Sequence, residues 1–282
     1  MSDTALQIQY RQEYIQGFEQ RQSLLRSTVT TEAVIKGNQA VFLVADSNSA
    51  TAKTRGVNGL IPARSDNNVQ NTATLQEQHD LVRKTRFNIF GSQGDQRKIM
   101  QESSMGVINR KIDDDIITTL NTGTVTIGSA TTIPGVDIFQ HGRVKLSNAS
   151  VPWDSNITLL CQPSFLAYME QAPEFASADY VDVRPYANGD GSWRDKPMAY
   201  RWRNCLICEH PNLPGKATSS EISFMYHKTS LGHAADTTNM DTNIGYDGEQ
   251  DYSFCRSTIF MGSVLMQNAG VIVITADGSA YA

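Results

Sequence analysis

Apolar residues near the N-terminus recur every four positions, which is the spacing of one face of an amphipathic helix. The stripe consists of Leu6, Tyr10, Tyr14 and Phe18, and the opposite side of the same segment is rich in glutamine. Nothing in the neighbouring sequence covers this stripe. Two interpretations stay open: the helix docks on another surface, such as that of another subunit, or it packs on its own domain.

A second helical pattern is much longer and has marked ends. Ser92 and Asp95 form an S-x-x-D capping pattern at the start of the helix. The segment Asn121 to Gly123 ends it. Between them we predict about 29 helical residues, or roughly 43 Å at about 1.5 Å per residue, where an ordinary helix has about 12 residues. A helix of this length without coiled-coil heptads suggests a structural spine.

The region between these helices has the pattern of strands and a long loop. Two β-branched and apolar runs in "TEAVIKGNQAVFLVAD" (31–46) flank Gly37-Asn38, which predicts strands around a turn. Residues 47–74 are rich in Ser, Thr, Asn, Gly and Ala and contain few large apolar residues, and "LVRKTRFNIF" (81–90) is predicted to be a strand. Loops longer than about 15 residues are uncommon inside a compact domain. We therefore expect an extended β-loop that reaches away from the body, and an interdomain linker is the alternative.

The second half of the chain alternates helices and strands. Residues 135–149 are predicted to be a helix, and 156–171 a buried strand followed by a helix that Pro163 opens at its favoured first position. Two further strand segments follow, "MAYRWRNCLICEH" and "EISFMYH". The C-terminal run from "SFCRSTIF" onwards is mostly apolar with little periodicity, so we expect it to be buried as either strand or helix.

Composition and charge narrow the functional classes. The chain has 282 residues, 40% hydrophobic and 19% charged, which is typical of an ordered protein. Its net charge of −5 argues against a nucleic-acid binder with a dedicated basic face. There is no apolar run near the roughly 18 residues of a membrane span, and no signal-peptide pattern. Four cysteines without such a signal suggest a reducing cytosol.

The densest group of candidate catalytic or metal-binding residues is "VINRKIDDDII" (107–117), with three consecutive aspartates, Asp113 to Asp115. Successive helical residues point about 100° apart, so three in a row cannot converge on one ion or act as an acid/base pair. Ile108, Ile112 and Ile116 form the predicted buried stripe. The aspartates are therefore interpreted as the solvated or subunit-facing flank of the long helix.

The other candidate motifs are incomplete. Cys205 and Cys208 form a single C-x-x-C, whereas a structural zinc needs four ligands. "GDGSWR" (189–194) and "LPGKAT" (213–218) lack the spacing of nucleotide-binding loops. In "DTNIGYDGEQD" (241–251) Tyr246 occupies the glycine position of a calcium loop, which leaves at most a looser calcium site. Arg83, Lys84 and Arg86 are a solvated strand face or, alternatively, a contact to phosphate or an acidic neighbour. We predict no catalytic residue, no cofactor and no metal.

The order of these elements carries a resemblance. A docking N-terminal helix, a long β-loop, a capped helix of about eight turns, a mixed α/β region and an apolar C-terminal segment resemble the major capsid proteins of tailed bacteriophages with the Hong Kong ninety-seven fold. "FGSQGDQRKIMQESSMGVINRKIDDDIITTL" is similar to that family's spine helix, "LLCQPSFLAYM" to its strand-then-Pro-helix unit, and "RSTIFMGSVLMQNAGVIVI" to its C-terminal run.

The resemblance implies an α+β fold with five parts. These are an N-terminal arm (1–30), an extended loop (31–80), a peripheral domain with the spine helix (81–130), an axial domain (131–240) and a C-terminal segment that completes the core (241–282).

The resemblance also implies assembly without catalysis. Subunits of the family form hexamers and pentamers that close into an icosahedral shell around double-stranded DNA, and the arm and long loop lap over neighbouring subunits. A separate scaffolding protein and a portal are the further partners implied, with no membrane and no sequence-specific DNA contact. The expected location is the virion, after assembly in the host bacterial cytoplasm. Residues expected at contacts between subunits are Leu6, Tyr10, Tyr14, Phe18, Lys53, Arg55, Arg64, Asp113 and Asp114.

Two rival functions stay open. An encapsulin-like shell of a bacterial nanocompartment shares the fold, and its gene neighbours would include a cargo enzyme instead of terminase and portal genes. A cytosolic hydrolase with a site at 188–195 or 241–251 belongs to a different functional class.

Overall fold

A computed structural model describes residues 22–31, 34–47, 50–91, 95–176, 181–183 and 199–281 of the chain. The predicted N-terminal stripe, Leu6, Tyr10, Tyr14 and Phe18, lies outside the described residues. The described part contains strands in three sheets and five α-helices, and it divides into two compact units. None of its helices is both long and apolar enough to cross a membrane.

Helices and strands alternate along most of the chain. The helices are α1 (Arg86–Gly91), α2 (Gln96–Leu120), α3 (Val136–Asn148), α4 (Pro163–Gln171) and α5 (Pro173–Ala176). The strands are β1 (Val34–Lys36), β2 (Gln39–Asp46), β3 (Asn67–Thr74), β4 (Gln76–Thr85), β5 (Thr126–Gly128), β6 (Ile157–Cys161), β7 (Val181–Val183), β8 (Ala199–Trp202), β9 (Cys205–Glu209), β10 (Glu221–His227), β11 (Leu231–Asp247), β12 (Tyr252–Leu265) and β13 (Val271–Ala276).

The larger unit, which comprises Leu24–Leu75, Asp114–Ala234 and Gly262–Ala282, is built around a seven-stranded sheet in the order β5-β13-β10-β6-β9-β8-β7. Strand β6 lies in the middle and is buried along its whole length, pairing with β10 antiparallel and with β9 parallel. A strand buried on both faces is expected to be a near-continuous apolar run, as "ITLLC" is apart from Thr158. The predicted strands at 156–161, 198–210 and 221–227 are confirmed.

Helices α3 and α4 complete the core of this sheet. Pro163 begins α4, where its missing N–H costs nothing. Helix α3 buries Phe139, whose ring lies 4.8 Å from that of Trp202, centroid to centroid. Trp202 is 0% exposed and also meets Phe175 edge to face, so three aromatic rings from different elements close one side of the core. Both helices were predicted within one residue of their observed ends.

The long β-loop is a three-stranded sheet in the order β1-β2-β3, also in the larger unit. Gly37 has φ 61° in the β1–β2 turn, a conformation that glycine adopts without strain. Strand β2 then pairs with β3 along eight residues, from Gln39↔Thr74 to Asp46↔Asn67. Residues 67–74 were predicted to be loop, which is wrong. The polar segment "NNVQNTAT" is a strand because β2 supplies its backbone partners, although its own side chains give no strand signal.

The C-terminal run, whose secondary structure the sequence left open, consists of strands β12 and β13, and a short 3₁₀ turn at Asn268–Gly270 precedes β13. Strand β13 lies between β5 and β10 in the large sheet. Its alternate residues all face covered surfaces, since five of its six residues are buried. This is why the run showed no period: both faces of the strand are apolar.

The smaller unit contains residues 22–23, Gln76–Asp113 and Ala235–Met261, with a sheet in the order β11-β12-β4. Strands β12 and β4 are antiparallel over ten residues, from Tyr252↔Thr85 to Met261↔Gln76. The prediction of a strand over 81–90 is correct only to Thr85. From Arg86 the chain turns into α1, and the backbone N–H of Arg86 donates to the carbonyl of Asp251 at 3.4 Å.

Helix α2 is the predicted spine, with 25 residues instead of about 29. Asp95 caps its start, since Asp95 Oδ1 accepts from the backbone N–H groups of Arg97 (3.1 Å) and Lys98 (3.3 Å). Its buried side chains include Met100, Ser104, Ile108 and Ile112. Spacings of four along that series explain the isoleucine stripe that the sequence revealed.

Candidate functional site

The most exposed apolar surface of the described chain lies at the end of the β2–β3 hairpin. We call residues 50–66 the hairpin tip. Three aliphatic side chains lie within five residues of one another there: Val57 is 106% exposed, Leu60 74% and Ile61 70%. Scattered single apolar residues are normal on a protein surface, but a group of this kind is typical of an interaction site.

The hairpin tip has a defined turn. The backbone N–H of Gly56 donates to the carbonyl of Leu60 at 3.0 Å, and that of Gly59 donates to the carbonyl of Gly56 at 2.9 Å. Gly59 has φ 71°, so a side chain at that position would strain the backbone. Because these bonds close the turn, Val57 and Leu60 are held outward by backbone geometry.

Positive charge surrounds these aliphatic residues. Lys53 and Arg55 are exposed on one side of the turn. On the other side Arg64 Nε lies 2.9 Å from Asp66 Oδ1, with both side chains at least half exposed. A surface ion pair of this kind contributes little to stability. The hairpin tip therefore carries three cations against one carboxylate and offers a partner an apolar centre with a basic margin.

The base of the same hairpin is fixed to its unit. Phe42 is 3% exposed and packs with Ala40, Ala73 and Ala234. A Cβ atom on Gly232 would lie 2.8 Å from the Phe42 ring, so only glycine leaves room for that side chain. Leu43, the next residue after Phe42, is 78% exposed, because successive side chains of a strand point to opposite faces. One face of the hairpin base therefore packs in the core, and the other exposes an aliphatic side chain.

The three consecutive aspartates do not share one environment. Asp113 is 1% exposed and its Oδ1 accepts from Ser23 Oγ at 2.6 Å. Asp114 is exposed, and Asp115 is half-buried. The prediction of a solvated flank is therefore wrong for Asp113. It lies one helical turn before Ile117, which is also buried, and the pair of isoleucines at 116 and 117 was the available sign of a wider buried face.

Asp115 belongs to a small polar cluster with Ser263 and His233. Ser263 Oγ donates to Asp115 Oδ2 at 2.5 Å and lies 2.9 Å from His233 Nδ1. Since the hydroxyl hydrogen is directed at Asp115, the ring Nδ1–H donates to Ser263 Oγ, and the histidine is not placed to remove the serine proton. His233 is 0% exposed. The residue types are those of a catalytic triad, but the arrangement is a buried structural network.

A second histidine, His227, also lies near a hydroxyl and a carboxylate, and its ring caps the 3₁₀ turn Lys228–Ser230. The backbone N–H of Thr229 donates to His227 Nδ1 at 3.3 Å, and His227 Nε2 donates to Asp154 Oδ1 at 3.1 Å. His227 is the last residue of β10 and is 4% exposed. Its ring accepts a hydrogen bond from the turn that follows the strand. These bonds stabilise the turn and leave the ring no access to a substrate.

The cysteines are protonated at neutral pH. Burial raises the pKa of Cys208 to about 11 and raises the pKa of Cys205 and of Cys161 further. Reactive and metal-binding cysteines act as thiolates, so these side chains behave as small apolar groups. All four cysteines are free thiols. In the described part of the chain, no three His, Cys, Asp or Glu side chains lie together as a metal site would require.

Residues 241–251 form the end of the β11–β12 hairpin. Asp241 pairs with Arg256 at 3.2 Å, Asp251 accepts from the Tyr246 hydroxyl, and Asp247 Oδ1 accepts from the backbone N–H of Glu249 at 2.9 Å. These carboxylates stabilise the hairpin and do not converge on one point. The other hydrolase segment, 188–195, lies outside the described residues.

The basic cluster of β4 is divided among different neighbours. Arg83 lies over the ring of Tyr252 at 4.9 Å, whereas Lys84 Nζ donates to Gln96 Oε1 at 2.6 Å. Arg86 begins α1 and is exposed. The three side chains therefore form no single pocket for a phosphate group.

Comparison with known proteins gives one family and many similar folds. A family model described as "Phage capsid protein" matches residues 2–277. The fold is similar to that of a capsid structure of Helicobacter pylori bacteriophage KHP30, with a TM-score of 0.71 and 12% identity over 96% of this chain and 95% of that one. The structure from Mycobacterium phage Che8 is similar with a TM-score of 0.70 and 13% sequence identity, over 97% of this chain and 98% of that one. The capsid of Ralstonia phage GP4 is similar with a TM-score of 0.70 and 10% sequence identity, over 98% of this chain and 96% of that one. No curated protein matches the sequence.

Proposed function

The chain belongs to the phage capsid protein family, and we propose that it assembles as hexamers and pentamers into an icosahedral head that encloses double-stranded DNA. It is a structural major capsid protein with the Hong Kong ninety-seven type of fold, and its place is the capsid of a virion. Self-association into a shell is the activity of such a protein.

The observation that carries the proposal is the hairpin tip. A protein that acts as a monomer gains nothing from three aliphatic side chains held 70% or more exposed on a hydrogen-bonded turn. A shell subunit gains stability of the assembly from such a surface, because the surface is buried against the next copy. The hydrophobic effect then drives assembly in proportion to the apolar area removed from water.

We place the contacts between subunits at exposed residues of the described chain and at the N-terminal stripe. Lys53, Arg55 and Arg64 on the hairpin tip and Asp114 on α2 are exposed and able to meet a neighbour. Asp113 leaves this set because its carboxylate is buried against Ser23. Leu6, Tyr10, Tyr14 and Phe18 stay in the proposal as an arm that docks on an adjacent copy.

The division into domains is also a proposal. The smaller unit, with the three-stranded sheet and the first part of α2, corresponds to the peripheral domain, and the seven-stranded sheet corresponds to the axial domain. The boundaries differ from those that the resemblance implied. Gly262–Ala282 clusters with the larger unit, which supports assigning β13 to the axial domain.

The other partners follow from the family and from charge. A separate scaffolding protein and a portal are proposed, with assembly in the host cytoplasm. An overall charge of −5 fits a container whose DNA is held by enclosure and not by a basic lining.

Expression with the scaffolding protein tests the proposal. We expect closed particles of uniform diameter in negative-stain electron microscopy and a fast-sedimenting species in a sucrose gradient. A discrete monomer or dimer under the same conditions would contradict it.

The two rival functions have less support. A bacterial nanocompartment shell is not favoured, since the matching family and the similar structures from Che8 and GP4 are those of phages. A hydrolase would need an accessible nucleophile or metal. In the part of the chain that the structure describes, the rings of His227 and His233 are buried, and no three His, Cys, Asp or Glu side chains lie together as a metal site would require.

A further inference from the structure

We propose that Asn58 is a site of spontaneous deamidation, and that this modification limits how long a free subunit stays able to assemble. Asn58 is followed by Gly59 in the hydrogen-bonded turn of the hairpin tip. The modification depends only on the chemistry of this turn. Its effect on assembly rests on the proposed function, because it requires the hairpin tip to be a contact between subunits.

The reaction uses the side chain of one residue and the backbone of the next, so it needs no encounter between two molecules. The backbone nitrogen of Gly59 loses its proton and attacks Cγ of Asn58, and the new N–Cγ bond closes a five-membered succinimide. The bond between Cγ and Nδ2 breaks, and Nδ2 leaves as ammonia. Water then opens the ring at either carbonyl, which gives aspartate or isoaspartate. The conversion consumes water, releases ammonia and involves no oxidation or reduction.

The surroundings of this pair favour the reaction. Both residues are exposed, so solvent reaches the side-chain amide. Gly59 has no side chain that would obstruct the approach, and even an added Cβ atom would meet no other atom within 4 Å. Lys53 and Arg55 precede Asn58 with no carboxylate in between. Positive charge nearby favours the anion that forms when the Gly59 nitrogen loses its proton.

Other exposed asparagines in the described chain lack these conditions. Nδ2 of Asn156 donates to Asp154 Oδ2 at 2.8 Å, and Nδ2 of Asn268 donates to Thr124 Oγ1 at 2.6 Å. These bonds hold each amide in place. The residue that follows is isoleucine in one case and alanine in the other, and its side chain obstructs the attack of the backbone nitrogen.

The turn determines how fast the reaction proceeds. The N–H of Gly59, which has to be deprotonated, donates to the carbonyl of Gly56 at 2.9 Å, and the N–H of Gly56 donates to the carbonyl of Leu60 at 3.0 Å. The attacking nitrogen is therefore occupied while these bonds are intact. Because the turn has to open first, we expect the reaction to be about tenfold slower than in the unfolded chain.

Either product changes the hairpin tip. Aspartate in place of Asn58 adds a carboxylate to a surface whose three cations now have only Asp66 as a counter-charge. Isoaspartate also lengthens the main chain by a methylene group, which moves the N–H of Gly59 away from its acceptor. The charge of the surface and the turn that presents Val57 and Leu60 are therefore altered together. A subunit modified in this way no longer offers its neighbour the surface of the wild type.

Peptide mass spectrometry of aged subunits tests the modification. Unassembled subunits are incubated in mildly alkaline water that is enriched in a heavy oxygen isotope, and are then digested. We expect the peptide with Asn58 to be converted into aspartate and isoaspartate forms that carry one heavy oxygen atom, because solvent water opens the ring. Asn58→Gln should stay unmodified at this position, since its ring would need six members. A wild-type peptide that stays unmodified would overturn the proposal.

Two comparisons localise the reaction. In subunits denatured with urea the conversion at Asn58 should be about tenfold faster, because no turn has to open. Equal rates in native and denatured subunits would contradict the control by the turn. The chain has a second Asn-Gly pair, Asn188-Gly189, outside the described residues. Its peptide is separated from that of Asn58, so the two positions are measured independently.

Ageing before assembly tests the consequence. Wild-type subunits and Asn58→Gln subunits are aged, mixed with the scaffolding protein and each compared with their own fresh sample. The wild type should lose assembly in proportion to the fraction modified at Asn58, whereas Asn58→Gln should lose much less. The direct mimic Asn58→Asp should raise the protein concentration needed for assembly several-fold. The matched control Asn212→Asp, the same change at an exposed residue outside the hairpin tip, should not.

The outcomes separate this inference from the proposed function. Urea unfolding first checks that all variants are folded. Equal losses on ageing in the wild type and in Asn58→Gln would overturn the inference while the proposed function stands. The same holds if modified wild-type subunits assemble like fresh ones. Failure of fresh wild-type protein to form shells would instead contradict the proposed function, and mass spectrometry would still decide whether Asn58 is modified.

Discussion

The seven-stranded sheet and the β2–β3 hairpin belong to the same unit, but the sheet buries its aliphatic side chains whereas the hairpin exposes several of its own. In β6 every residue is buried, and Leu159 is 0% exposed. In β2, Leu43 is 78% exposed, and beyond it the hairpin tip exposes three more aliphatic side chains. The sheet is therefore stabilised by contacts within the chain, whereas the hairpin carries apolar surface that the rest of the described chain leaves exposed. If this surface forms the proposed contacts, stability and assembly depend on different strands.

The largest expected effect comes from a matched pair of leucines in these two regions. Leu159→Ala removes a fully buried side chain and should lower the free energy of unfolding by about 2–5 kcal/mol. Leu43→Ala should change it by less than about 0.5 kcal/mol. Urea denaturation of unassembled subunits measures both. Similar losses at the two positions would mean that the hairpin is covered within its own chain.

Adjacent aspartates on α2 give the next largest difference. Asp113→Ala removes the acceptor of the Ser23 hydroxyl in a buried place and should cost about 1–3 kcal/mol. Asp114→Ala, at an exposed position one residue on, should stay within about 0.5 kcal/mol. The same denaturation experiment compares them. Equal effects would contradict the buried environment of Asp113.

The cysteines report on the buried sheet by their reactivity. Because burial raises the pKa of Cys208 from 9.0 to about 11 and that of Cys205 further, native protein at pH 8 should react with a thiol reagent far more slowly than denatured protein, in which all four cysteines are accessible. A folded-state pKa above the unfolded value stabilises the fold below pH 9, and this contribution is lost as the pH rises from 9 through 11. Rapid labelling of Cys205, which is 0% exposed, in the native subunit at pH 8 would contradict its burial.

The smallest effect on stability, and a large one on assembly, is expected at the hairpin tip. Leu60→Ser should leave the free energy of unfolding unchanged within about 0.5 kcal/mol, since the side chain is 74% exposed. It should nevertheless raise the concentration at which shells form, because apolar area is no longer removed from water on contact. Light scattering against concentration measures this. Assembly identical to the wild type would remove Leu60 from the interface.

Local signals predicted much of the fold. The capped helix α2, the Gly37-Asn38 turn and the helix that begins at Pro163 all depend on residues close together in the chain, and all are present. Strand β3 was missed because its partner, β2, lies across a long excursion of the chain. Asp113 was misassigned for the same reason, since Ser23 is 90 residues away. Periodicity describes one helix face but not a hydroxyl that arrives from elsewhere.

Contacts between subunits were the least predictable part. Only the resemblance predicted Lys53, Arg55 and Arg64 at contacts between subunits. The apolar turn between them was missed, because the composition of residues 47–74 predicted a loop with few large apolar residues. The chemistry of the histidine clusters was not predicted either. His233 and Ser263 are 30 residues apart and share no motif.

The hydrogen-bonded turn at Gly56–Leu60 has a consequence for the kinetics of shell growth. Its backbone is already ordered when two subunits meet, so less conformational entropy remains to be lost on contact. A modest contact is then enough to hold a subunit briefly, and a wrongly placed subunit still dissociates before its neighbours lock it in. We expect such growth to be self-correcting, since many individually weak contacts become strong only when the geometry lets them all form together.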